Sequence, residues 1–290
     1  MLEDEGTSEP MDDEDGGIRT ALIYDFDGTL ARGNVQEHSF LPELGLAKED
    51  FWNEVKRRTQ EHDADEILMY MDHMLEVAFD NGTPVTRSML KDHGRDTLLF
   101  AGLDTWFDRI NSFGKARGLA VEHYIISSGN LELIEGSPIA DRFTKIYASK
   151  FIFDGDGAAV RPGVAINYTT KTQFLFRINK GINNTWDNVA INRWMPMEER
   201  PVPFTRMIFF GDGDTDIPSM KMVRHQGGYA VAVFDPEDFD SAKPQEKIYR
   251  LISEERVHYV APADYRKGSQ LDVITRGILG KMARDVGYRE

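Results

Sequence analysis

Cysteine is absent from this 290-residue chain, which excludes disulfides, thiolate metal sites and cysteine nucleophiles. Also missing is any apolar run approaching the ~18 residues that cross a bilayer as a helix, so an integral membrane protein is not expected. Basic residues are missing from the start: the first seventeen positions hold eight acidic residues and no Lys or Arg, the opposite of a signal peptide. That stretch, 1–17, has almost no bulky apolar residues and reads as an acidic, disordered leader. The formal charge is −15, of which −8 lies in the leader and −7 in the remainder, and the isoelectric point is near 4.9. So acidic a chain argues against nucleic acid or an anionic membrane as partner, and the expected location is cytoplasmic. What is present is ordinary for a globular protein: 41% hydrophobic and 29% charged residues, enough for one large domain or two unequal ones.

Thr20–Tyr24 is a short apolar, β-favouring run that stops at Asp25, as a buried strand ending in a loop does. From Asn34 to Gly118 the pattern turns helical. Asp63 and Glu66 have capping-box separation, followed by Ile67, Leu68, Met71, Leu75, Ala78 and Phe79 at helical spacing. Asp104 is placed to cap a helix whose Trp106, Phe107, Ile110 and Phe113 form one stripe, and Phe51, Trp52 and Val55 suggest another. Beyond Gly118, strands expected at Val121–Ile126, Lys145–Phe153, Met207–Phe210, Tyr229–Phe234 and Val257–Val260 alternate with helices. That alternation implies an α/β fold with a doubly wound, mainly parallel sheet, ligands binding beyond the carboxyl ends of its strands. Asp154–Gly157 reads as a hairpin turn; a calcium loop would need the distal Glu of an EF-hand, which is missing.

Four segments fall where strands end. Asp25-Phe-Asp-Gly-Thr-Leu30 presents Asp25 and Asp27 on one face, and two carboxylates so close repel unless a cation or proton lies between them. Ile126-Ser-Ser-Gly-Asn130 offers hydroxyls and bare N–H groups before a helix, suited to an anion or simply to an N-cap. Lys171 opens a helix in Thr169-Thr-Lys-Thr-Gln173. Phe210-Gly-Asp-Gly-Asp-Thr-Asp216 packs three acids into five residues, a density that suggests a hard divalent cation, most plausibly magnesium.

In this order, acid pair, hydroxyl, lysine and acid cluster resemble the four motifs of the haloacid dehalogenase superfamily, and within it the phosphoserine-phosphatase-like branch. The resemblance runs from about Thr20 to Phe234. It implies a Rossmann-like core made of 18–33 and 119–290, with a helical cap domain at 34–118. It implies a magnesium-dependent hydrolase that cuts a small phosphate monoester through an aspartyl-phosphate. Asp25 would be the nucleophile and Asp27 the general acid and base. Ser127, Ser128, Gly129 and Lys171 would bind the phosphoryl group, with Ser127 favoured over Ser128 and Lys171 over Lys180 because each lies closer to an element boundary. Mg2+ would sit on Asp25, the Asp27 carbonyl and Asp212. Asp216 would act from behind, and Gly28 and Thr29 would shape the loop, threonine by bonding the backbone. The expected partner is a small phosphorylated metabolite. A phosphotransferase or phosphomutase would use the same motifs; a phospho-accepting receiver module or a non-catalytic binding protein are the readings from other classes.

Overall fold

The computed structural model describes residues 17–239 and 241–289, so the acidic leader lies outside the described residues except for Gly17. β1 (Ile18–Tyr24) leads into an excursion holding α1 (Phe40–Glu43), α2 (Lys48–His62), α3 (Glu66–Asp80) and α4 (Arg87–Gly94), and then α5 (Leu103–Lys115). β2 (Leu119–Asn130), α6 (Leu131–Gly136), β3 (Lys145–Phe153) and β4 (Ala159–Val164) follow. Next come α7 (Lys171–Lys180), α8 (Asn188–Asn192), β5 (Met207–Gly211) and α9 (Ile217–His225). The chain ends with β6 (Tyr229–Phe234), α10 (Ala242–Ser253), β7 (Tyr259–Pro262) and α11 (Gln270–Asp285).

One seven-stranded sheet has the order β4-β3-β2-β1-β5-β6-β7, parallel throughout except for the β3–β4 hairpin. Alternate residues of β1 serve opposite faces: Leu22 and Tyr24 join one core, Ala21 and Ile23 the other. That period-2 division, with both sides apolar, requires helices on both faces and gives the doubly wound α/β arrangement. Tyr24 pairs with Ile125 on one side and Phe210 on the other, which brings the residues that follow, Asp25, Ile126 and Gly211, to one level across β1, β2 and β5. Asp25 and Asp212 follow the last residues of β1 and β5. Ser127, expected just past a strand ending at Ile126, instead lies inside β2, which runs on to Asn130 with a shift in its register against β3 between Ser127 and Asn130. The hairpin turn at Asp154 is as expected: Asp154 Oδ1 accepts N–H bonds from Asp156 and Ala158 at 3.0 and 2.9 Å.

Three local expectations need correction. Asp63 does not cap α3; it sits at φ 48° beyond the last residue of α2, while Asp65 caps α3 by accepting from Ile67 and Leu68 N–H. Asp104 lies inside the first turn of α5, whose N-cap is Gly102 at φ 90°. A side chain at Gly102 would meet the Arg266 backbone nitrogen at 2.3 Å, so close packing, not capping, sets that helix start. β7 begins at Tyr259, where pairing with Val231 starts, two residues after the expected Val257.

Within 34–118 the helices divide. α1 to α4 leave the sheet after Ala31, which bridges antiparallel to Leu99, whereas α5 returns to it. Trp106 Nε1–H donates to Tyr24 Oη at 2.9 Å, and Arg109 pairs with Asp272 of α11 at 2.6 Å. Tyr24 Oη lies 3.1 Å from His123 Nδ1, and His123 Nε2 lies 2.8 Å from Asn111 Oδ1. A neutral imidazole with its proton on Nε2 satisfies every partner in this chain, and burial pushes the His123 pKa down from 6.5 to about 3. A buried histidine held neutral contributes stability above its unfolded pKa and loses it as pH falls below 6.5. The stability lead of the wild type over His123→Gln should therefore shrink by about 2 kcal/mol between pH 8 and pH 5, measured by urea unfolding at both pH values. A lead that does not change with pH would show that His123 is not held neutral. No helix among the described residues is long and apolar enough to cross a membrane.

Candidate active site

β1 ends by handing its hydrogen bonding to the next strand: Asp25 N–H donates to Phe210 C=O at 2.9 Å. The Asp25 side chain, 5% exposed, accepts from Phe26 N–H through Oδ1 at 2.8 Å. Lys171 Nζ stands 3.0 Å from the same oxygen and 2.7 Å from Asp216 Oδ1, with Lys171 and Asp216 wholly buried. Asp216 Oδ2 accepts from Gly213 N–H at 3.1 Å. The buried lysine is thus clamped between two carboxylates, one of which is itself fixed by its loop. Burial alone would lower the Lys171 pKa, but Asp216 and Asp25 more than reverse this.

Carboxylate oxygens of Asp25, Asp212 and Asp216 all lie within 4.8 Å of one another. Burial, then Asp216, pushes Asp25 well above its ordinary value, and burial likewise raises Asp212. Asp27 is raised to about 7, chiefly by burial, against the opposing pull of the Val35 N–H and Lys171. The site holds more buried acid than its lysines can neutralise. Such a cluster must bind either protons or a cation.

Asp27 is oriented by Val35 N–H, which donates to Oδ1 at 2.8 Å. Its other oxygen faces Gly129, where a Cβ would come within 2.7 Å, so only glycine leaves that oxygen room. Gly28, at φ +70°, lies against Asp212 so closely that a Cβ would stand 2.5 Å from its carboxylate. The loop conformation and the approach of the acid both demand glycine there. Ser127 is fully buried, and its Oγ accepts from Gly129 N–H at 2.9 Å, which leaves the hydroxyl proton to donate. Gly129 N–H, expected to meet a phosphoryl oxygen, is instead engaged by Ser127. Ser128 Oγ is buried and has no hydrogen-bond partner among the described residues. Thr29 corrects another expectation: its Oγ1 also lacks a partner, and it is its carbonyl that accepts, from Tyr265 Oη at 2.7 Å. Lys180 is directed elsewhere, donating to the carbonyls of Ile191 and Arg193 at 2.6 Å each.

A cavity of about 520 Å³ opens over Asp25 and Asp27 and is lined on its far side by Trp52, Lys56, Glu66 and Tyr70 of α2 and α3. Tyr70 Oη donates to Ser128 C=O at 3.0 Å, tying α3 to the serine loop. Sequence reasoning did not single out Tyr70, because a tyrosine within a helical stretch gives no sign of a contact 58 residues away. Sequence reasoning also missed Lys247 of α10, whose Nζ lies 3.2 Å from Asp212 Oδ2; a lone lysine on an amphipathic helix carries no signal for it.

No protein-family model matches the sequence. A relative from Borreliella burgdorferi, described only as an uncharacterized protein, is 27% identical over 281 residues, covering 87% of this chain and 93% of the relative. Among solved structures, a HAD (haloacid dehalogenase) family hydrolase from Salmonella enterica serovar Typhi superposes with a TM-score of 0.57 at 14% identity, over 90% of this chain and 71% of that one. A probable phosphoserine phosphatase from Vibrio cholerae gives 0.56 at 13% identity, over 95% and 70%. A phosphoserine phosphatase in its apo form gives 0.52 at 14% identity, over 83% and 92%. The chain therefore has the haloacid-dehalogenase-type, phosphoserine-phosphatase-like fold.

Proposed function

We propose that this chain is a member of the haloacid dehalogenase superfamily and a magnesium-dependent phosphatase that hydrolyses a small phosphate monoester through an aspartyl-phosphate. The observation that carries the reading is the buried Asp25–Lys171–Asp216 clamp, flanked by Asp27 and Asp212 at the ends of adjacent parallel strands. The donor set fits a hard divalent cation: it is all oxygen, it converges on one point, and Gly28 leaves that point uncrowded. Asp25, Asp212 and the Asp27 carbonyl would hold Mg2+, which supplies charge neutralisation for bringing an anionic ester to an anionic nucleophile.

The residues divide the remaining work. Asp25 attacks phosphorus and becomes the aspartyl-phosphate. Asp27, already held near neutral pH by burial, protonates the leaving oxygen and then takes a proton from the water that hydrolyses the intermediate. Lys171 and the Ser127 hydroxyl, preset by their partners, stabilise charge on the phosphoryl oxygens. Asp216 orients Lys171. The carboxylic acid at position 27 favours phosphoryl chemistry over dehalogenation, which needs no acid there. The roughly 520 Å³ cavity suits a small phosphorylated metabolite.

The test is a panel of phosphate monoesters assayed with and without magnesium. Activity should vanish in EDTA and return with Mg2+, and Asp212→Asn should raise the half-saturating Mg2+ concentration by at least about tenfold. Full turnover in chelator would contradict the metal assignment, and no hydrolysis across the panel would contradict the phosphatase reading.

A further inference from the structure

α10 lies beside the acid cluster. Its inward face is fixed in the core through Leu251 and Ile248, 1% and 8% exposed. The adjoining face grips the acid loop twice: Lys247 on Asp212, and Arg250 on Asp214 at 2.5 Å. A second cavity, of about 860 Å³, opens beneath this grip and meets the first at Gly28, Gly33 and Asp212. Lys247 lines this second cavity together with Asp235, Asp238 and Glu246.

We propose that Lys247 is a built-in competitor for the divalent cation, holding Asp212 while the metal is absent and leaving it when the metal binds. The proposal rests on the metal-dependent reading above. Three observations carry it. Asp212 is the member of the converging trio that Lys171 does not touch, since Lys171 pairs with Asp25 and Asp216. The ammonium of Lys247 sits on that remaining carboxylate. A divalent ion and an ammonium cannot share one carboxylate without mutual repulsion, and the second cavity, which Lys247 lines, gives it space when it is displaced.

Because the metal must first displace Lys247, the apparent Mg2+ affinity of the wild type is lowered by the fraction of molecules in which the pair is formed. Removing the ammonium should tighten Mg2+ binding. Isothermal titration of the intact, metal-free protein with MgCl2 is the test, and it needs no substrate. Lys247→Met should bind Mg2+ about fivefold more tightly than wild type, while Lys247→Arg, which retains the charge, should stay within about twofold of it. Lys247 is 29% exposed on its side chain, so the neutral variant should fold; Lys247→Gln provides an independent neutral replacement. In thermal unfolding, the neutral variants should have a lower Tm in EDTA and a larger rise with Mg2+ than wild type. Unchanged or weaker Mg2+ binding in both neutral variants would overturn the proposal while leaving the metal reading standing. A wild type that binds no Mg2+ would overturn both.

Discussion

Lys171→Met should lower kcat/KM by at least about a thousandfold and reduce stability by about 3–5 kcal/mol at neutral pH. Both effects come from the same geometry. The ammonium is wholly buried and lies 2.7 Å from Asp216 and 3.0 Å from Asp25. Methionine keeps the unbranched apolar stem but lacks the ammonium, which leaves two buried carboxylates without their cation, and breaking a buried ion pair costs more than the pair was worth because the remaining charge is unpaired. Asp25 would then take up a proton, and a protonated Asp25 is a poor nucleophile. The variant should therefore recover part of its stability, but little activity, as pH falls. Urea unfolding and steady-state kinetics from pH 5 to pH 8 measure the two effects separately. A variant as stable and active as wild type would mean that the clamp is incidental.

Asp27→Asn should separate the two half-reactions. With an alkyl phosphate the departing alkoxide needs a proton from Asp27, so turnover should fall below detection. With p-nitrophenyl phosphate the departing anion is already stable and the first step needs no acid, but hydrolysis of the intermediate still needs the base. A burst of p-nitrophenol near one equivalent per enzyme, followed by a stall, is the expected result in a stopped-flow assay. Asparagine can still accept the Val35 N–H bond that Asp27 Oδ1 receives, so the loop should keep its shape. Alkyl turnover near the wild-type rate would make Asp27 a turn residue.

The sheet was legible because each buried strand is a short run of apolar residues bounded by turn or acid residues. Thr20–Tyr24 and Tyr229–Phe234 are examples whose burial forces their conformation. The acid pair and the acid cluster were legible because each stands where such a run stops; Ser127, inside the longer β2, and Lys171, at the start of α7, were legible only as members of the ordered set of four motifs. What local pattern could not reveal depends on contacts between distant segments. Asp63 and Asp65 are both acceptable cap residues, and only the left-handed turn ending α2 selects Asp65. Trp106 and Phe107 form a stripe that suits any apolar face; that the face is the core sheet follows from Tyr24 and His123, far apart in sequence. Two close approaches, Gly94 to Leu133 C=O and Gly136 to Lys91 C=O, where a Cβ would lie 2.0 Å away, lock α4 onto α6. Nothing in either sequence segment marks the other. Lys247 is of the same kind, a surface-type lysine whose partner is 35 residues away.

Locating the phosphoryl group is the most direct test of the central claim that Asp25 is the nucleophile. Asp27→Asn enzyme mixed with p-nitrophenyl phosphate and Mg2+, quenched in acid during the stall and mapped by peptide mass spectrometry, should carry one phosphoryl group on the peptide containing Asp25. The adduct should be released by hydroxylamine, as an acyl phosphate is, and should be absent when Asp25 is also replaced by Asn. A phosphoryl group on Ser127 or Asp212, or an unmodified protein at the height of the burst, would contradict the mechanism.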